Sequence, residues 1–216
     1  MAFFDNQDHA GLALLIMAIV SILMGIVSII WEIIDGDEII IANIIFALGT
    51  LVGGFLYLAF AQRVRGNTGS NKFSDKFGVS GGALTDKFDI IVEFVHVFAM
   101  ATLVTGIFKI IGGIVEFIQD TGVEGGAVSL IISGVVYIII AFIVMWLYRK
   151  ITDGKDSLVD KIVWVILLIV FLLYIIFGLL ACLSIIGIPL GICAIIIGVF
   201  MFMGLLDSDV KTKFGM

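Results

Sequence analysis

Six stretches of this 216-residue chain are apolar for long enough to cross a bilayer: 11–32, 39–61, 90–116, 127–148, 162–183 and 188–206. About 20 apolar residues rising 1.5 Å each span the hydrocarbon core. Inside that core every backbone N–H and C=O needs an internal partner, so only helices and closed barrels are possible. A barrel would need alternating strands of about ten residues. These runs are uninterrupted, and the chain's one proline, Pro189, barely breaks them. The sequence therefore predicts an all-α integral membrane protein, a single membrane domain over 1–216 with six transmembrane helices and a loop at 62–89. Composition agrees. Residues are 62% hydrophobic and 14% charged, against about 25% charged in soluble domains.

The N-terminus, MAFFDNQDHA, carries Asp5 and Asp8 but no Lys or Arg. It lacks the basic start of a cleaved signal peptide, so the first helix is expected to stay. Cys182 and Cys193 both fall in apolar runs and read as core residues, with no disulfide framework and no metal site.

Charge sets the expected orientation, because cytoplasmic loops collect Lys and Arg. Loop 62–89 has Arg63, Arg65, Lys72, Lys76 and Lys87. Segment 149–161 has Arg149, Lys150, Lys155 and Lys161, and the tail has Lys211 and Lys213. Eleven of the 12 basic residues thus share one side. Two of the opposite turns hold Glu32, Asp35, Asp37, Glu38, Glu116, Asp120 and Glu124. The expectation is a multi-pass protein of the cell (cytoplasmic) membrane with both termini inside. Lys-Phe pairs recur on the basic side, at Lys72-Phe73, Lys76-Phe77, Lys87-Phe88 and Lys213-Phe214. Such pairs suit an anionic lipid surface, and 70–78 reads as either a short surface helix or a plain loop. Asp75, Asp86 and Asp89 lie among these lysines, which argues against nucleic acid as a partner.

Short patterns recur. The odd spans contain MGIVSII (24–30), TGIFKII (105–111) and FGLLACL (177–183). The even spans contain GFLY (54–57), GVVY (134–137) and GVFM (198–201). The unit is a helical hairpin, in three copies at about 11–61, 90–148 and 162–206. Lipid tails are as apolar as Leu, so helices in a membrane associate by close packing at small residues. Gly25, Gly106, Gly178, Gly54, Gly134 and Gly198 are the expected packing positions. Gly49/Gly53 and Gly187/Gly191 add two small-xxx-small spacings. With its six spans, three hairpins and glycine-apolar motif over most of 11–206, the chain resembles the HdeD-like membrane proteins. That resemblance implies a six-span fold and a link to acid resistance, and it brings no catalytic residues.

Four polar residues fall within the third span: Glu93, His96, Lys109 and Glu116. An intramembrane charge marks a functional site or a partner by default. Lys109 and Glu116, seven residues apart, share a helix face with Thr102, Thr105, Gly112 and Gly113. Lys109 reads as an interfacial anchor or ion pair, as a charge lining an ion or solute path, or as a subunit contact. Glu93 and His96, three apart, are neighbours on one face. They read as a hydrated helix entry, with a proton shuttle or half a metal site as the sharper reading. The only other histidine is His9, so no metal is expected.

No catalytic set, phosphate-cradling loop or cofactor motif is legible. The sequence points to a non-enzymatic membrane protein, with a packing or stress-related role or as a homo-oligomer or subunit of a larger membrane complex. The alternative is a small ion or solute channel or transporter with Lys109 in the path.

Overall fold

A computed structural model describes residues 3–35, 40–119, 126–153, 158–184 and 187–216. Asp37, Glu38, Asp120, Glu124 and Lys155 lie outside these. Among the described residues the chain is all-helical. Six helices are long and apolar enough to cross a membrane: α1 (Gln7–Asp35), α2 (Ile41–Val64), α4 (Lys87–Gln119), α5 (Gly126–Ile151), α6 (Leu158–Ala181) and α7 (Ile188–Leu206). Two short helices, α3 (Lys72–Lys76) and α8 (Ser208–Lys213), complete the order.

The surface shows what solvent the fold is built for. On α5 the buried residues are Gly134, Ala141 and Ile151, while Phe142, Ile139, Ile143 and Trp146 are at least half exposed. Large apolar side chains point out and small ones point in. Apolar patches of that extent are not left to water, and a lipid surround accounts for them. The protein is a multi-pass membrane protein.

α1 packs against α2, α4 against α5 and α6 against α7, and α2, α4 and α7 tie these pairs together. Small residues set how closely each pair approaches. A Cβ added to Gly25 would lie 2.9 Å from the Ala47 carbonyl oxygen, and one on Gly54 would lie 3.3 Å from that of Ala18. In the second pair, Gly106 and Gly134 face each other, each added Cβ meeting the other's carbonyl at 2.9 and 2.8 Å, and Gly113 stands 3.0 Å from the Ala127 oxygen. In the third, Gly178 and Gly191 are mutual neighbours, and Gly198 stands 3.3 Å from the Phe171 oxygen. Each pair therefore has two backbone contacts seven residues, or two turns, apart. That is the spacing at which one helix stripe keeps returning to its partner. Gly134 lies across from the odd-helix glycine, where Ala47 and Gly191 stand in the other pairs; Gly54 and Gly198 sit two turns further on. Of the two looser spacings, Gly49 meets the Phe108 ring of α4, whereas nothing lies within 4 Å of Gly53.

Burial is uneven along the bundle. The core is built from Ala10–Leu14, Leu56–Val64, Ile90–Val97, Val163–Phe171 and Ile197–Leu205, together with Val79, Leu84, Val210 and Phe214. Most of these lie in the half of α1, α2, α4, α6 and α7 nearest the basic end, with Val104 and Cys193 among the core residues beyond it. Phe94 contacts both Phe60 (centroids 6.2 Å) and Phe171 (5.5 Å) at its centre. Towards the acidic end few side chains are buried, and recesses open between the helices.

The glycine contacts make a signed prediction. Gly106→Ile and Gly134→Ile force a side chain against backbone and should each cost about 2 kcal/mol or more. Gly53→Ala meets nothing and, by helix propensity, should stabilise by about 0.5–1 kcal/mol. Unfolding in mixed micelles measures all three.

Candidate functional site

The polar residues of α4 form two separate sites, one at each end of the apolar core. At the basic end, α2 finishes beside the start of α4, and antiparallel packing sets Arg63 against Glu93. The Arg63 Nη1 to Glu93 Oε1 distance is 2.5 Å, with both side chains almost nine-tenths buried. Arg63 also donates from Nε to the Gly82 carbonyl (3.0 Å) and from Nη1 to the Val79 carbonyl (3.4 Å). Its own carbonyl accepts from the Leu84 amide at 2.9 Å. One guanidinium thus ties α2, α4 and the intervening loop together. Its rigid fork suits this multiple contact better than a lysine would.

His96 lies one turn further along α4 and is 8% exposed. Its Nδ1 is 3.6 Å from Glu93 Oε1, beyond hydrogen-bond length. The imidazole stacks on the Tyr148 ring of α5 at 4.7 Å and 18°. Glu93 therefore spends its charge on Arg63, and His96 packs as an aromatic. No group of three or more His, Cys, Asp or Glu side chains among the described residues could hold a metal ion.

The loop between α2 and α4 is ordered around this pair. Asn71 caps α3 through a reciprocal box with Ser74, and its amide donates to the Phe55 carbonyl at 2.9 Å. Phe73 is 38% exposed and stacks on Phe55 at 5.4 Å, while Phe77 packs against the core. So 70–78 holds a helix of about one turn that is pinned to the bundle. The termini close the same end. Gln7 donates to the Val64 and Leu84 carbonyls. Lys87 pairs with Asp5 (2.8 Å) and Asp207 (3.4 Å), and Lys213 pairs with Asp86 at 2.7 Å.

The second site is towards the acidic end. Lys109 lines a cavity of about 290 Å³ between α2, α4 and α5, with Phe46, Gly49, Thr50, Thr105, Phe108 and Leu130. Its ammonium lies 5.0 Å from the centre of the Tyr137 ring. Tyr137 is three residues nearer the basic end than Gly134, so Lys109 leans back along α4, as helical side chains do. Among the described residues it makes no ion pair. Thr50 and Thr105 donate to the Phe46 and Ala101 carbonyls of their own helices. Glu116, one helix face but two turns away, is 3% exposed. The stripe read from sequence is shared between neighbours: Gly112 is covered by the Phe46 ring of α2, and Gly113 by Ile131 of α5. A neighbouring groove of about 440 Å³ contains Trp31 and Glu32. Glu32 accepts from the Ile40 amide (2.8 Å) and the Asn43 side chain (3.0 Å).

Arg63, one of the loop cations by sequence, is the buried link of the basic end, and Tyr148 and Tyr137, apolar-run residues by sequence, are the ring partners of His96 and Lys109. The charge census did hold a signal for Arg63, since antiparallel helices place the end of α2 level with the start of α4. Comparison with family models, curated proteins and solved structures gives no match.

Removing one partner of a mostly buried pair costs about 3–5 kcal/mol, whereas an exposed pair is worth about 0–1. Arg63→Ala should therefore destabilise strongly and open loop 66–86 to protease, while Lys213→Ala should do neither. Acid gives a second test. The Lys213 hydrogen bond holds the Asp86 carboxyl below its ordinary range. Its small contribution is present above the unfolded value of about 3.9 and is lost as pH falls further. Lys213→Ala should weaken that acid sensitivity, read as stability against pH, with the Phe88 amide bond to Asp86 sustaining the remainder.

Proposed function

We propose that this chain is a non-enzymatic component of the cytoplasmic membrane, three like-oriented hairpins with both termini inside, serving as a subunit of a larger membrane assembly. One observation carries this reading. Charged side chains of the described residues stand towards the two ends, and between His96 and Lys109 α4 is unbroken, its only polar side chains, Thr102 and Thr105, donating to carbonyls of their own helix. A transporter would place polar groups and broken helices near the midplane. A subunit needs instead a stable frame with uncovered apolar faces. α5 and α6 offer these, with a mostly apolar recess of about 190 Å³ between them floored by α4 and α2 and lined by residues such as Tyr57, Phe98, Val144, Leu147, Ile166 and Tyr174.

The matched glycine contacts support reading the hairpins as copies of one unit, the third with a shorter acidic turn. A stress-related role, and membership of the HdeD-like group, rest on the resemblance of the six spans and glycine motifs alone. The inside orientation rests on the positive-inside rule, applied to the end that carries Arg63, Arg65, Lys72, Lys76 and Lys87.

Two measurements test the proposal. With Cys182 and Cys193 replaced, Lys76→Cys should resist an impermeant thiol reagent added to intact cells, and Ile118→Cys should react; the reverse pattern refutes the orientation. Extraction in mild detergent should bring the chain out in a particle larger than a monomer, with defined partners or copies of itself. Flux in vesicles from the purified chain, abolished by Lys109→Ala, would instead establish the transporter reading.

A further inference from the structure

Among the described residues Lys109 makes no ion pair, and it stands in a recess with mostly apolar walls, so its depth decides what could neutralise it. Sixteen residues of α4 separate Glu93 from Lys109, and 23 separate Glu93 from Glu116. At 1.5 Å per residue these are roughly 24 and 35 Å. The Arg63–Glu93 pair marks one polar boundary. A hydrocarbon core of about 30 Å then ends between Lys109 and Glu116, so the Lys109 backbone lies roughly 6 Å to the hydrocarbon side of the headgroup layer at the acidic end.

Among the described residues, the carboxylates at this end are already engaged or buried. Glu32 is held by Ile40 and Asn43, and Glu116 is buried two turns away. Both hydroxyls in the cavity donate to backbone carbonyls. The ammonium, with three N–H donors, is the one polar group in the cavity with donors still uncommitted among the described residues. The Tyr137 face, on the basic-end side, supplies part of its lost hydration, and the flexible stem can instead turn outward and carry the charge towards the headgroup layer of the acidic end. At about 290 Å³ the cavity is at the small end of ligand pockets, which run roughly 300–1,000 Å³. That suits a headgroup and the first carbons of a chain while the rest of the molecule stays in the bilayer. Thr50 at the rim is exposed, so the recess opens on the flank of the bundle.

We propose that the recess between α2, α4 and α5 binds the phosphate of an anionic phospholipid on Lys109, with the start of an acyl chain against Phe46, Phe108 and Leu130. The inference depends only on the six-helix membrane fold and is independent of the assembly proposed above. It assigns Lys109 to a lipid site in place of a conducting path.

The test is competition for the full-length chain in detergent, read by native mass spectrometry, between phosphatidylglycerol and phosphatidylcholine of identical chains. A charge-assisted contact of this kind should favour the anionic lipid about tenfold at one site. Lys109→Arg should keep that preference and Lys109→Gln should lose it, since the cations of the basic end are unchanged in both. An equal preference in Lys109→Gln, or none in the wild type, overturns the proposal. Should Lys109→Gln not survive extraction, Leu130→Trp fills the cavity with the charge retained and must lose the bound lipid; retention overturns the proposal equally. Displacement of phosphatidylglycerol by inorganic phosphate at the same concentration would show a free-anion site and overturn the lipid assignment.

Discussion

The contact on which this architecture depends is the close approach of two helix backbones within each pair. Lipid offers no hydrophobic drive for helices to associate, so the gain must come from packing. At Gly106 and Gly134 each backbone sits where the other's Cβ would be, and dispersion and weak Cα–H···O contacts act at their shortest range. Repeating the approach after seven residues turns a point contact into a seam. Ala18, Ala47 and Ala127, and in the third pair the Phe171 backbone, complete the seams where glycine is absent. The large side chains are thereby displaced to the lipid-facing surface, which explains the inverted profile of α5.

The rest of the bundle follows from where those seams leave room. Near the basic end the pairs share one core, and Phe60, Phe94, Phe171 and Phe200 are buried in it. There the loop before α4, the N-terminal segment and α8 add a polar lid. It is fastened by Arg63 within the protein and by Lys87 and Lys213 at its rim. The two kinds of fastening differ in strength for the same reason. Arg63 and Glu93 are shielded from water, while the lysine pairs are screened by it. Towards the acidic end side chains fill less of the space between helices, and this is where Lys109 and Glu32 stand at the edges of open recesses.

That asymmetry bears on function. Near the midplane the helices are unbroken, and Thr102 and Thr105 spend their hydroxyls on carbonyls of their own helix. A frame that is tight at one end and open at the other can receive lipid at the open end and partners along its uncovered flanks.

The sequence by itself determined the six helices, because 20-residue apolar runs admit no other spanning structure, and it separated the basic end from the acidic one. It also singled out the close-packing glycines, since small residues stand out in such runs. It could not set the register between helices. Gly134 matches Gly54 and Gly198 by local motif, yet packing places it level with Ala47 and Gly191. A motif describes one helix, whereas a contact depends on the relative slide of two. Glu93 and His96 show the same limit. Their three-residue spacing made them neighbours, but only the tertiary structure drew Glu93 to Arg63 and His96 to Tyr148, because those partners arrive from other helices. Lys109 was legible as a charge in an apolar run. Its cavity was not, since a cavity is defined by what three separate helices fail to fill.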